Sequence, residues 1–253
     1  MLEGLDQAAG LRRLQQARAL HLMAFPLDGG QDADWIAVRI AELARALRAL
    51  GARPVVVDAS GGRVMAALGL RARHDLADLL QGERAFDTVA QATPDGIWAL
   101  RADRGLEAFV ASGRPAQWLF SAFARLPQAF DALVLAMPSG ELACLAAPED
   151  VVPVIAVPGD DAGMARAYAT VKDLATRFGY SRFAAAVGDA RGAAASTAAA
   201  RGAHARLATV ARSFLDAEVS FAGRLPAEGD AGPALADLAQ TLLHTAATPL
   251  SLH

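Results

Sequence analysis

A chain of 253 residues, 54% hydrophobic and with a formal net charge of −3, is the right size for one large α/β domain. Its single cysteine, Cys144, excludes an internal disulfide and fits a reducing cytoplasm. No apolar run approaches the ~20 residues that cross a bilayer, no secretion-type charged-then-apolar start is present, and an acidic balance offers no general attraction to nucleic acid. His21, His74, His204, His244 and His253 are scattered without metal-type spacing, so no zinc site is expected.

Residues 6–18, DQAAGLRRLQQAR, predict a short helix, with Asp6 as its N-cap and Ala8, Leu11 and Leu14 near helical spacing. Arg12, Arg13 and Arg18 sit toward its favourable C-terminal end, and Gly10 weakens it by about 1 kcal/mol relative to Ala. His21–Phe25 predicts the first core strand. A helix follows, capped by Asp34, with Ile36, Ile40, Leu43, Leu47 and Leu50 on one buried face and Gly51 at its end. Pro54–Asp58 is a continuous apolar run of the kind covered on both faces.

Further on, Val64–Leu70 and His74–Leu80 precede a predicted strand at Gly96–Leu100 and a helix at Gln117–Arg125. Ala132–Met137 and Val151–Val157 read as buried strands, with Pro138-Ser139-Gly140 a turn and Glu149-Asp150 a solvated turn between them. A helix from Asp160–Asp161 to Arg177, a strand at Phe183–Val187, a helix at Ala193–Leu215, a short strand at Val219–Phe221 and a helix at Ala234–His244 complete the chain. Alternating strands and helices imply a mainly parallel sheet with helices on both faces, and ligands at the carboxyl ends of the strands. The loops after Phe25, Asp58 and Met137 are therefore the place to look for a site.

The stretch from His21 to Ser60 has the strand, Gly-containing loop, helix and second strand of a phosphate-binding unit, but not its chemistry. A P-loop needs a Lys on the outer phosphates and a Ser/Thr hydroxyl on Mg²⁺. Here Gly29 and Gly30 are followed by Gln31, Asp32, Ala33, Asp34, Trp35 and Ile36. Asp28, Asp32 and Asp34 would face a polyanion, and each like-charge pair at ~4 Å costs about 4 kcal/mol at the effective dielectric of a protein surface. Lys172 is the only lysine among 24 basic residues and lies far from the loop in sequence.

The order of these segments resembles the MinD/ParA group of P-loop ATPases over nearly the whole chain. The resemblance is carried by Glu42-Leu43-Ala44-Arg45-Ala46-Leu47-Arg48-Ala49-Leu50-Gly51, Val55-Val56-Val57-Asp58-Ala59-Ser60 and Phe130-Asp131-Ala132-Leu133-Val134-Leu135-Ala136-Met137-Pro138-Ser139-Gly140. The departures fall on the working positions. Ile36 or a neighbour stands for the P-loop Lys, and Ala37 for its Thr. Ser60 replaces the second Asp of the DxD, Ala136 the Mg²⁺-side Asp, and Gly188 the adenine-reading Asn. Asp58 alone is kept. This pattern implies a pseudo-ATPase with no cofactor and only a vestigial pocket of Gly29, Gly30, Asp58, Ser60, Pro138 and Gly140, because in-line phosphoryl transfer rests on positioning and charge neutralisation.

Within that group, Asp6-Gln7-Ala8-Ala9-Gly10-Leu11-Arg12 resembles the DQAxxLR element of FlhG (FleN/YlxH), MinD-like regulators of flagellar number and placement. The resemblance implies a partner-binding helix over residues 1–18, carrying Asp6, Gln7, Gly10, Leu11 and Arg12, ahead of a degenerate MinD-like domain over 19–253. It implies an FlhF-type GTPase as partner, possible contacts with other flagellar or polar proteins, and a monomer or nucleotide-independent dimer. The tail from Ala231 carries leucines but no Lys or Arg, so no stable membrane anchor is expected. Two other readings stand beside this one: a ligand-sensing module holding a nucleotide without Mg²⁺, or a cyclic dinucleotide, against Arg101 or Arg191, and a diverged but active ATPase.

Overall fold

The computed structural model describes residues 20–189, 196–226 and 232–245. The predicted helix at 6–18, with Asp6, Gln7, Gly10, Leu11 and Arg12, lies outside the described residues, as does Arg191.

The chain runs β1 (His21–Pro26), α1 (Ala33–Ala49), β2 (Pro54–Asp58), α2 (Arg63–Ala67), α3 (Leu76–Leu80), α4 (Phe86–Val89), β3 (Gln91–Ala92), β4 (Trp98–Arg101), α5 (Asp103–Ala111) and α6 (Ala116–Ala124). It continues with β5 (Ala132–Met137), α7 (Ser139–Leu145), β6 (Val154–Val157), α8 (Asp161–Phe178), β7 (Arg182–Gly188), α9 (Thr197–Leu215), β8 (Glu218–Leu225) and α10 (Gly232–Thr245). Five strands pair in the order β1-β5-β2-β4-β3, parallel except for the antiparallel β3–β4 pair. A second, parallel ladder has the order β6-β7-β8, and β6 lies beside β1.

The central strands β2 and β5 are buried on both faces, so their side chains divide by the period of two. Val56, Ala132, Val134 and Ala136 join Ile40, Leu43 and Leu47 of α1 on one face; Val55, Val57, Leu133, Leu135 and Met137 join Leu106, Phe120 and Leu142 on the other. The first of these clusters also takes in Val154 and Ala156 of β6 and Ala184 and Ala186 of β7. One apolar layer thus crosses from the first ladder to the second and makes a single domain of an α/β fold.

Several boundaries differ from the sequence reading. The N-cap of α1 is Asp32 and not Asp34, because the Ile36 amide donates to the Asp32 carbonyl (2.8 Å); Asp34 falls in the first turn. Leu50, expected on the buried face, is 46% exposed, because the helix ends there and Gly51 turns the chain at φ +88°. The strand expected at Gly96–Leu100 is Trp98–Arg101, since Gly96 turns the chain (φ +87°) so that Gln91–Ala92 pairs back onto it. Strand β6 is shorter than the apolar run Val151–Val157 because Pro153 has no N–H to donate. Pro138-Ser139-Gly140 is not a free turn: Pro138 leads directly into α7, whose first turn holds Ser139 and Gly140. Strand β8 is longer than predicted, and its register with β7 shifts between Ala185 and Ala186.

Candidate functional site

Strands β1, β5 and β2 are neighbours, so the loops that follow them meet at one end of the sheet. The Leu27 amide donates to Met137 O (2.8 Å) and the Ala59 amide to Ala136 O (2.8 Å), which extends the ladder just past the strands. Beyond these bonds the loop Asp28–Asp32 leaves β1, passes through Gly30 at φ +122° and enters α1. Its two ends are tied to different elements. Asp28 accepts from the Ser139 amide (2.8 Å) and from Ser139 Oγ (2.5 Å), and so joins the loop to α7. Asp32 accepts from Arg166 Nε and Nη2 (2.8 Å for the latter), a two-point pair that joins the loop to α8. Donating to Asp32 raises the pKa of Arg166 above its ordinary value. Asp34, outside the pair, meets Arg63 Nε at 3.2 Å on the surface.

The turn after β2 is held mainly by its own carboxylate. Asp58 is fully buried; its Oδ1 accepts from the Ser60 amide (2.9 Å) and Ser60 Oγ (2.5 Å), and its Oδ2 from the Met65 amide (2.8 Å). Gly61 and Gly62 follow at φ +78° and +81°, a left-handed pair that side chains with a Cβ seldom adopt. Arg63 donates to the Ser60 carbonyl, and Asp103 accepts from the Gly61 amide (2.8 Å) and from Arg101 Nε (2.5 Å). Both oxygens of the one carboxylate kept from the P-loop pattern are therefore spent on backbone and hydroxyl groups of its own turn.

A cavity of about 320 Å³ opens beside the loop, between β1, α1, β6 and α8. Asp28, Gly29, Gln31 and Asp32 line it from the loop, and Pro158, Gly163 and Arg166 from the start of α8. Of the predicted pocket residues only Gly29 lines it. Gly30 lies in the same loop, Asp58 and Ser60 turn into β2's own corner, and Pro138 and Gly140 flank Ser139 in α7. Arg101, expected as an anion ligand, is paired with Asp103 and is absent from the lining. Lys172 is exposed on α8 and also absent from it. Arg166 and Ser139 are the functional contributors that sequence reasoning missed. Nothing local marks them, since their partners lie 134 and 111 residues away.

Gly188, at the end of β7, faces Trp35 of α1. A Cβ there would come within 2.8 Å of Trp35 Cζ2 and 3.2 Å of Val157 O, so the indole packs against the position where the resemblance puts an adenine-reading Asn. On the opposite flank, burial lifts the Glu141 carboxyl of α7 above the usual range, and Asp103 and Glu107 add to the rise.

Solved structures with this arrangement include cell division proteins and a ParA family ATPase. MinD in the MinC:MinD cell division protein complex of Aquifex aeolicus superimposes with a TM-score of 0.61 at 18% identity, over 89% of this chain and 96% of that one. Aquifex aeolicus MinD gives 0.60 at 16% over 89% and 98%, and a ParA family ATPase from Chlorobium tepidum TLS gives 0.53 at 16% over 90% and 98%. The fold is that of MinD and ParA. No family model and no curated protein sequence matches the chain. The likeness to MinD and ParA spans about nine tenths of this chain, and the cavity lies beside the loop that the resemblance compares with a P-loop. None of the described helices is long and apolar enough to cross a membrane.

Proposed function

We propose that this protein is a MinD-like regulator that does not hydrolyse ATP and acts by protein contact, as an FlhG-type factor in flagellum assembly. The observation that carries the reading is the state of the loop: its carboxylates are committed to Ser139 and Arg166, and no lysine stands at its mouth. A triphosphate there would have to displace two carboxylates and tolerate their charge. The MinC:MinD complex supports the idea that this fold offers faces to partner proteins.

In this reading the partner is an FlhF-type GTPase, met by Asp6, Gln7, Gly10, Leu11 and Arg12, with Gln7 helping to order the attacking water in the partner's site. Calorimetric titration with ATP–Mg²⁺ tests the first half, with no saturable heat expected; micromolar binding overturns it. Mixing with an FlhF-type GTPase tests the second. GTP hydrolysis accelerates with the intact chain and not with Gln7→Ala; equal rates for the two overturn the assignment.

A further inference from the structure

In many nucleotide-binding folds a phosphate orders a flexible loop, and loss of the phosphate releases it. Here the loop contains two consecutive glycines, so fixing it costs more conformational entropy than fixing an ordinary segment. The contact that offsets that cost is unusual for its position. An Asp at a helix N-cap ordinarily turns back onto the amides of the first turn. Asp32 makes no such bond, and both its oxygens go instead to the guanidinium of Arg166 on α8. A carboxylate met by two parallel N–H donors is fixed in direction as well as distance, which one point charge on another does not achieve. The Asp32 side chain is 17% exposed and that of Arg166 41%, so only the carboxylate end of the pair is withdrawn from screening water.

We propose that Asp32 is an internal stand-in for a ligand: its carboxylate, gripped by Arg166, holds the loop and the first turn of α1 in one arrangement without any nucleotide. The inference rests on the functional reading above, since a protein that binds ATP there has no need of the device. The Asp28–Ser139 tie fixes the loop's other end, leaving Gly29, Gly30 and Gln31 as the exposed span between two anchors. With both ends held, the mouth of the cavity keeps one shape, and α1, α7 and α8 present a permanent rather than a switched surface.

Amide hydrogen exchange on the full chain tests this, read at Ala33 and Ile36. Their N–H groups donate to Gly30 O (3.2 Å) and Asp32 O (2.8 Å). The Met65 amide, held by Asp58, reports on the separate turn after β2. In the unliganded protein Ala33 and Ile36 exchange slowly and ATP–Mg²⁺ leaves them unchanged. Asp32→Asn and Arg166→Gln each speed them at least about tenfold with Met65 unaffected, and the charge-swapped double variant Asp32→Arg/Arg166→Asp recovers part of the protection. If both single variants leave Ala33 and Ile36 as slow as before, the stand-in role is overturned and the functional reading stands. If the wild-type loop exchanges rapidly until ATP–Mg²⁺ is added, both fall. Should a single variant loosen Met65 as well, the swapped pair decides, recovery at Ala33 and Ile36 supporting the proposal and its failure overturning it.

Discussion

The loop after β1 and the turn after β2 sit on strands separated only by β5, yet their carboxylates find partners at very different range. The turn is held chiefly from within: Asp58 bonds Ser60 and Met65, neither more than seven residues away, and is fully buried, while Asp103 adds a bond from the Gly61 amide. The loop is held from outside, with Asp28 and Asp32 exposed or half-buried and their partners more than a hundred residues off. The contrast teaches where each carboxylate's worth lies. A buried carboxylate that satisfies three donors supports the whole fold, whereas a surface one that reaches across elements sets a local arrangement at small cost to global stability.

The largest effect that sharpens this contrast is Asp58→Ala, which strands the Ser60 and Met65 amides in the interior. Urea denaturation is expected to show a loss of about 3–4 kcal/mol, and a loss below about 1 kcal/mol would erase the distinction. Gly188→Ala comes next. The new methyl group meets the Trp35 ring at 2.8 Å, so about 2 kcal/mol is lost and the tryptophan emission shifts as the indole moves. Asp28→Ala, on the loop itself, is expected to cost only about 1 kcal/mol in the same denaturation experiment.

Tyr180 separates range from burial, because it is both buried and tied at a distance. Its hydroxyl donates to Ala146 O at 2.6 Å, and burial, followed by the charge of Asp150, pushes its pKa up to about 12. The folded state favours the neutral phenol, so this contribution is complete below the ordinary phenol pKa of about 10 and is lost as the pH rises from there through about 12. Tyr180→Phe, at about 1 kcal/mol, removes that high-pH dependence from the stability curve, and an unchanged curve would show that another group titrates.

The same contrast explains what could be read from the sequence. Contacts between neighbours leave local marks: Asp58 two residues before Ser60, the apolar pair-step of β2 and β5, and the spacing of Ile40, Leu43 and Leu47 all gave the right elements. The mainly parallel sheet and the three loops at its carboxyl end followed from them. Contacts across the chain leave none. Nothing in the sequence singles out Arg166, Ser139 reads as a turn residue, and Arg101 reads as an anion ligand although Asp103 pairs with it. Helix α5 escaped because Gly105 interrupts its pattern. The glycine is there for contact, since a Cβ would meet Leu76 Cβ at 2.5 Å and the Ala77 amide nitrogen at 2.6 Å.

The register shift between β7 and β8 has a consequence of its own. Strand β8 ends its ladder, and eight residues of straight, flat margin would be an open invitation to cross-chain sheet growth. The irregularity opposite Ala185 and Ala186 bends that margin and spoils its spacing as a template. Polymer-like stacking through β8 is thereby disfavoured.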